Sequence, residues 1–220
     1  MSSIIAICGF MGSGKDTIAD YLVNFHGYKR ESFANSLKDA VSVVFGWDRE
    51  LLEGRTKQSR EWRETKDEWW SARLKQDITP RWVLQYWGTE VVRRGFHNDM
   101  WVASLENRLL NSKDDIVITD CRFPNEIKAL KNIGAKVLRV KRGPEPEWYD
   151  HAKNYNKGQK YIGWAIGKHA LDEANVHASE YSWVGSKFDK IITNDSTIED
   201  LYEQVEELLK VGNEIALTPA

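Results

Sequence analysis

The chain lacks the features by which many proteins hold a large partner. Its 31 basic and 33 acidic residues leave a formal charge of −2, so there is no broad positive field of the kind that general DNA or RNA binding needs. An anionic ligand must therefore be met by a local cluster of cations. Only two cysteines occur, Cys8 and Cys121, too few for a disulfide framework and in keeping with a reducing cytoplasm. No run approaches the roughly 20 apolar residues of a membrane span. The opening MSSIIAICGF has no basic stretch, and its short apolar run leads into glycines instead of a cleavage site. Internal repeats and low-complexity linkers are missing too. The expectation is a soluble, cytoplasmic, globular chain whose 220 residues, 41% hydrophobic and 29% charged, suit one domain carrying insertions. One residue type is abundant: ten tryptophans, most of them expected as core or interface rings and a minority free to stack on a base.

Periodicity supplies the organisation. SIIAIC, Ser3 to Cys8, is a short apolar run ending in glycine, as a buried parallel strand would be. Ile18, Tyr21, Leu22 and Phe25 then form the apolar stripe of a helix that Gly27 ends. A second strand is expected at 28–33, followed by a helix marked by Leu37, Ala40, Val41 and Val44. From about Gly46 to Asp114 no strand pattern occurs; the segment is charged, tryptophan-rich and helical in character. Within it, TPRWVLQYWGTEVVRR reads as one helix capped by Thr79 with Pro80 at its first position. DMWVASLENRLL, 99–110, is a second, with Trp101, Leu105 and Leu109 on one stripe. Strands are expected again at 115–120, 135–142 and 188–194, with a helix from Pro124 to Ile133. A final helix is expected to open on a capping box, Ser196 to Glu199, and to carry Ile198, Leu201, Val205 and Leu208 inward, the tail VGNEIALTPA fraying. Residues 143–183 are polar and show no clear period. Five strands alternating with helices predict an α/β fold, a parallel sheet covered on both faces, interrupted by two long insertions.

Three elements carry chemistry. GFMGSGKDT satisfies G-x-x-x-x-G-K through Gly9, Gly14 and Lys15. In such a loop backbone N–H groups converge on phosphate oxygens at a helix N-terminus, and the lysine reaches the β and γ phosphates. A glycine turn beside a surface lysine would look the same, but between a buried strand and an amphipathic helix the pattern has the context it needs. One detail does not fit: Asp16, not Ser or Thr, follows the lysine, and Thr17 comes one place late. The second element is Asp120, at the carboxyl end of a buried strand, where such sheets present ligands and where an aspartate holds Mg²⁺ directly or through water. Alone it could equally cap the helix starting at Pro124. Two residues on, Arg122 could bridge donor and acceptor phosphates bidentately, or simply form a surface ion pair. The third element is the face on which Arg81, Gln85 and Thr89 recur every four residues beside Gly88; on its own a polar stripe of this kind is usually solvated.

Taken together and in order, GSGKDT, SFANSLKDAV, LEG followed by SRE, RWVLQYWGTEVVRR, NDMWV, TDCRFPNE, VHASE and ITNDSTIEDL resemble the phage deoxynucleoside monophosphate kinases of the T-even type. The resemblance runs from residue 9 to about 201 and places GKDT among nucleotide kinases. It implies a three-layer P-loop NTPase fold with about five parallel strands, one domain over 1–220 with core segments 1–45, 115–142 and 184–210. A monophosphate-binding insertion would cover about 46–114 and a mobile lid about 143–183. It implies ATP as donor, Mg²⁺, and a deoxynucleoside monophosphate as acceptor. Met11, Gly12, Ser13, Gly14, Lys15, Asp16 and Thr17 would hold the ATP phosphates, Thr17 and Asp120 serving the metal. Lys38, Arg60 and Arg81 would surround the acceptor's 5′-phosphate; Gln85, Gly88, Thr89 and Trp101 would shape the nucleoside pocket, with Arg122 and Glu126 near the acceptor. Asn194 and Asp195 would pass the adenine, and Arg142 would stack on it or bind phosphate. Lys153, Lys157, Lys160 and Lys168 lie in the lid, each more readily explained as a solvated surface charge.

Two other functions compete. A kinase for another phosphorylated acceptor, such as dephospho-coenzyme A, would share loop and fold. A nucleotide-dependent switch would share the loop, but TNDS at the last strand lacks the Thr-Lys-x-Asp signature that reads guanine. Stable nucleic-acid or membrane binding finds no support in the charge, and spare tryptophans in the first insertion could bury a homodimer contact.

Overall fold

The computed structural model describes residues 2–158 and 163–216. Along the chain run β1 (Ile4–Cys8), α1 (Lys15–His26), β2 (Lys29–Glu31), α2 (Asn35–Phe45), α3 (Arg49–Glu53), α4 (Lys57–Glu64), α5 (Glu68–Leu74) and α6 (Pro80–Tyr86). A π-helical segment, Trp87–Arg94, precedes α7 (Met100–Leu110) and β3 (Ile116–Ile118). Then come α8 (Pro124–Asn132), β4 (Lys136–Lys141), α9 (Tyr149–Asn156), α10 (Trp164–Glu173), α11 (Ala178–Tyr181), β5 (Lys190–Thr193) and α12 (Ile198–Ala216). The chain divides into two compact units, Met1–Glu31 with Lys113–Ala220, and Ser32–Ser112.

The first unit holds a five-stranded sheet in the order β2-β3-β1-β4-β5, every pair parallel. β1 is central because it is apolar throughout and can be covered on both sides. One face carries Ile5, Ile7, Val117, Leu138, Val140 and Ile192 against Ile18, Ala19 and Leu22 of α1 and Leu201, Val205 and Leu208 of α12. The alternate residues, Ala6, Cys8, Ile116, Ile118 and Val137, are equally buried. Each buried side chain of this size contributes roughly 1.5–3 kcal/mol. The chain crosses from β2 on one side of β1 to β4 on the other, which makes the end of β1 the switch point where a ligand is expected. This is the α/β P-loop NTPase fold.

Several expectations shift in detail. Phe25 is 70% exposed, so the core stripe of α1 is Ile18, Ala19 and Leu22. The cap of α12 sits one residue later than the sequence reading places it: Asp200 N donates to Thr197 Oγ1 at 3.2 Å while Asp200 Oδ2 accepts from Thr197 N at 3.3 Å. An aspartate at the third helical position closes the box as well as a glutamate would. The helix continues to Ala216 instead of fraying from Val211; the last four residues of that tail lie outside the described ones. Segment 143–183 contains three short helices whose packing comes from rings and glycine and not from an apolar stripe. Tyr155 stacks on Trp164 at 5.6 Å, and Gly167 lies so close to His151 O that a Cβ would come within 2.5 Å.

The second unit is helical. Its core is Leu37, Val41, Trp47, Leu52, Ile78, Val83 and Trp101, ringed by Phe45, Trp62, Trp70, Trp82 and Trp87. Three indole N–H groups are satisfied: Trp47 donates to Asp67 Oδ2 at 2.7 Å, Trp70 to Phe45 O at 3.0 Å and Trp101 to Gly88 O at 3.0 Å. Most tryptophans here are therefore core, as their number suggests; Trp69, 64% exposed, is the exception. Thr79 caps α6 by accepting from Trp82 N at 3.1 Å, with Pro80 following. The single helix expected over this stretch instead widens after Tyr86 into the π segment, with Gly95 N bonding Glu90 O at 3.0 Å. Tertiary packing at Gly88 accompanies the change: Leu37 Cδ2 lies 3.0 Å from where a Cβ would stand, and the Gly88 carbonyl takes the Trp101 indole.

Candidate active site

The loop after β1 is shaped by what surrounds it. At Gly9, φ is +148° and a Cβ would come within 2.5 Å of Val140 O, so β4's backbone excludes any side chain. At Gly14, φ is +106° and a Cβ would meet Asn194 Nδ2 at 2.4 Å. That amide donates to Ser13 O at 2.9 Å, bracing the loop from the end of β5. Gly14 precedes α1 and gives no side-chain cap, which leaves the first-turn N–H groups and the positive helix end for an anion. Ser13 is 4% exposed and its Oγ has no hydrogen-bond partner among the described residues. Lys15 Nζ donates to Phe10 O at 2.6 Å. Burial first, and then the nearby charge of Arg122, hold its pKa below the usual lysine range, with Asp16 and Glu180 opposing. An uncapped helix N-terminus, an orphaned hydroxyl and a largely buried cation fit a phosphate chain.

Asp16 faces elsewhere. Arg30 of β2 bonds its Oδ1 and its carbonyl, both at 3.1 Å, and Asp20 at 2.9 Å. Thr17, half-buried one place on, is the first hydroxyl of the helix. Asp120 stands two residues beyond β3 and is half-buried. Arg122 follows, its Nη1 2.6 Å from Glu180 Oε1 of α11. Glu126, read from the sequence as lying near the acceptor, is only 2% exposed, and its Oε2 accepts from Arg122 N at 2.8 Å and Phe123 N at 3.0 Å. Its role is to fix the turn that presents Arg122. Cys8 and Cys121 are free and buried.

Arg142, expected to stack on the adenine or bind phosphate, is exposed at the end of β4. Arg139, within β4, lies 5.0 Å from the Tyr149 ring and 5.1 Å from Trp183, anchored by two 2.6 Å bonds to Glu145 and one of 2.8 Å to Tyr149. Trp183 and Trp148 pack on Phe10 at 4.8 and 5.4 Å, so segment 143–183 is rooted on the phosphate loop itself. Asp195 accepts from Gly143 N at 2.5 Å. Lys168 pairs with Asp172 at 2.5 Å and Lys157 bonds Asn154 at 3.3 Å; Lys160 lies outside the described residues.

In the second unit Lys38 Nζ is 2.8 Å from Glu53 Oε2, and Arg49 binds Glu53 and, at 2.6 Å, Asp39. Burial raises the Glu53 pKa, but the bonds from Lys38 and Arg49 outweigh it and bring it from 4.5 down to about 2. The stabilisation this gives is fully present above pH 4.5 and is lost as the pH falls towards 2; at neutral pH it is on the order of 3 kcal/mol. Urea midpoints of the wild type and Glu53→Gln should therefore differ most at pH 7 and converge below pH 4. Arg60 is exposed with a 3.0 Å bond to Arg55 O, and Arg81 pairs with Glu64. Gln85 is exposed, and Thr89 lies beyond the change to π geometry, so the one-face alignment with Arg81 expected of a continuous α-helix does not hold. Gly88 and Trp101, expected at the pocket wall, are both buried against the core.

A family model for deoxynucleotide monophosphate kinase matches residues 52–154. A protein of Acanthamoeba polyphaga mimivirus, provisionally named a deoxynucleotide monophosphate kinase, is 28% identical over 217 residues, 92% of this chain and 93% of its own. The deoxynucleoside-5′-monophosphate kinase of Escherichia phage T5 is 28% identical over 181 residues, 60% of this chain and 72% of its own. Over these stretches the chain is similar to deoxynucleotide monophosphate kinases. Among solved structures, dephospho-CoA kinase from Campylobacter jejuni is 14% identical with a TM-score of 0.47, covering 96% of each chain. TT1252 from Thermus thermophilus is 16% identical with a TM-score of 0.47, covering 99% of each.

Sequence reasoning missed Glu180, Arg139 and Phe10. Strand alternation in AKVLRVKR could have found Arg139, which shares the inward phase of Val137. Glu180 lies in VHASE, a motif with no local chemistry until Arg122 is placed beside it. Among the described residues no group of three or more His, Cys, Asp or Glu is placed to hold a metal, and no helix is long and apolar enough to cross a membrane.

Proposed function

We propose that the chain transfers the terminal phosphoryl group of ATP to the 5′-phosphate of a deoxynucleoside monophosphate, giving the diphosphate and ADP for DNA precursor synthesis in the cytoplasm of a phage-infected cell. The observation that carries this reading is the loop at the end of β1, where Lys15, the uncapped N-terminus of α1 and Arg122 converge, in a chain similar to deoxynucleotide monophosphate kinases. Phosphoryl transfer asks the protein for in-line positioning and charge cancellation more than for covalent work. The loop N–H groups and Lys15 hold the donor phosphates. Lys38, Arg60 and Arg81 hold the acceptor phosphate, each exchanging part of its present carboxylate or carbonyl contact for it, and Gln85 and Thr89 meet the nucleoside. Arg122 leaves Glu180 to pair with the phosphoryl group in transfer. Mg²⁺, carried on the nucleotide, cancels charge between donor oxygens and needs only one or two protein oxygens, for which Thr17 and Asp120 are the candidates. Segment 143–183 closes over the loop to exclude water as a competing acceptor. The small-molecule acceptor leaves nucleic acid no part in the reaction, and Trp69 is the ring available to a homodimer contact.

Label from γ-³²P-ATP should pass to deoxynucleoside monophosphates and be recovered as diphosphate; label recovered on coenzyme A instead would move the assignment to the alternative acceptor. Because Asp16 is engaged by Arg30, Asp16→Ser should leave the Mg²⁺ concentration for half-maximal rate within about twofold. A severalfold rise would put Asp16 in the metal's shell.

A further inference from the structure

Arg63, half-buried in the second unit, has no carboxylate partner among the described residues. Its neighbours have partners: Lys38 and Arg49 share Glu53, and Arg81 has Glu64. Arg63 makes a 3.5 Å contact to Leu52 O, and its buried Nε has no partner among the described residues. The guanidinium lies against the bare backbone of Gly54, where a Cβ would come within 2.1 Å of its Cζ. Arg60, Arg63 and Glu64 fall at i, i+3 and i+4 of α4 and so share a face, and the ion pair to Glu64 brings Arg81 onto the same face.

We propose that Arg63 is a further acceptor-binding residue, completing with Arg60 and Arg81 a cluster of guanidinium groups that grips the monophosphate's phosphate. The proposal rests on the kinase reading above. A guanidinium keeps its proton in a protein; burial followed by the charge of Arg81 works against the charged form here, with Glu64 and Glu53 opposing. Such a cation calls for an anion supplied from outside. A dianionic phosphate meets it best, because two of its oxygens can accept from the Nη–H groups of the fork at once. Gly54 contributes by having no side chain, which keeps the guanidinium seated against the backbone of the α3–α4 turn. Lysine cannot reproduce that geometry.

Calorimetric titration of the full chain without ATP tests this, using deoxynucleoside monophosphates and the matching unphosphorylated deoxynucleosides. Arg63→Gln and Arg63→Lys should each weaken monophosphate binding about 10- to 100-fold and leave deoxynucleoside and ATP affinities unchanged. A purely structural Arg63 would weaken nucleoside and monophosphate alike, or neither, and either result overturns the proposal. If Arg63→Gln disturbs the tryptophan fluorescence of the second unit, Arg63→Lys with wild-type fluorescence decides on the same criteria. Failure of the wild type to bind any monophosphate would overturn the kinase reading instead.

Discussion

Lys15→Ala should lower kcat by about 10²- to 10³-fold, the loss expected when one charge aimed at a developing oxyanion is removed from a dry site. The structure adds a second expectation. Burial and Arg122 both work against the charged lysine, so the folded chain carries that cation at a cost, and the variant should melt at the same temperature as the wild type or above it. Sites that hold charge for a substrate commonly show this opposition between stability and activity. ADP release and a thermal melt on the same preparation measure both. Turnover within about threefold of wild type would remove Lys15 from the mechanism; a large fall in melting temperature would mean that the lysine is structural.

Gly9→Ala should be the most damaging single methyl in the first unit. The added Cβ would stand 2.5 Å from the Val140 carbonyl and 2.8 Å from Ser13 Oγ, at a φ of +148° that L residues rarely adopt. The serine can rotate, but the carbonyl belongs to β4, where Val140 is held in register opposite Ile192 of β5. The loop must move or the strands must part, at a cost on the order of 3 kcal/mol. The denaturation midpoint should fall accordingly, and nucleotide binding should fall further than stability does, because the displaced loop no longer converges on phosphate. Gly27→Ala is the internal comparison: its φ is also positive, at +71°, but nothing lies within 4 Å of the added methyl. It should cost about 1 kcal/mol and leave nucleotide binding intact. Equal losses in the two variants would mean that strain at Gly9, not contact with β4, sets the effect.

The fold was largely legible because its signals are local. The apolar runs at β1, β3 and β4, the stop at Gly27 and the cap at Thr79 each follow from a few adjacent residues. The phosphate loop was legible for the same reason. Less was visible wherever a residue's role depends on a distant partner. Asp16 looks like a misplaced metal ligand until Arg30 is seen holding it outward. Glu126 looks like a substrate contact until the N–H groups of Arg122 and Phe123 claim it. Gly88 and the Trp101 indole meet across 13 residues of sequence, and with them the helix widens in a way that no propensity scale records. Arg63 showed no sign in a charged stretch where every third residue is ionic; the close approach of Gly54 singles it out.

The central claim is a specific phosphoryl acceptor, and steady-state ADP release from ATP and Mg²⁺, read with each deoxynucleoside monophosphate in turn and with none, tests it most directly. The account predicts that at least one monophosphate accelerates ADP release by well over tenfold and that Lys15→Ala abolishes the acceleration. ADP release indifferent to every monophosphate would contradict it.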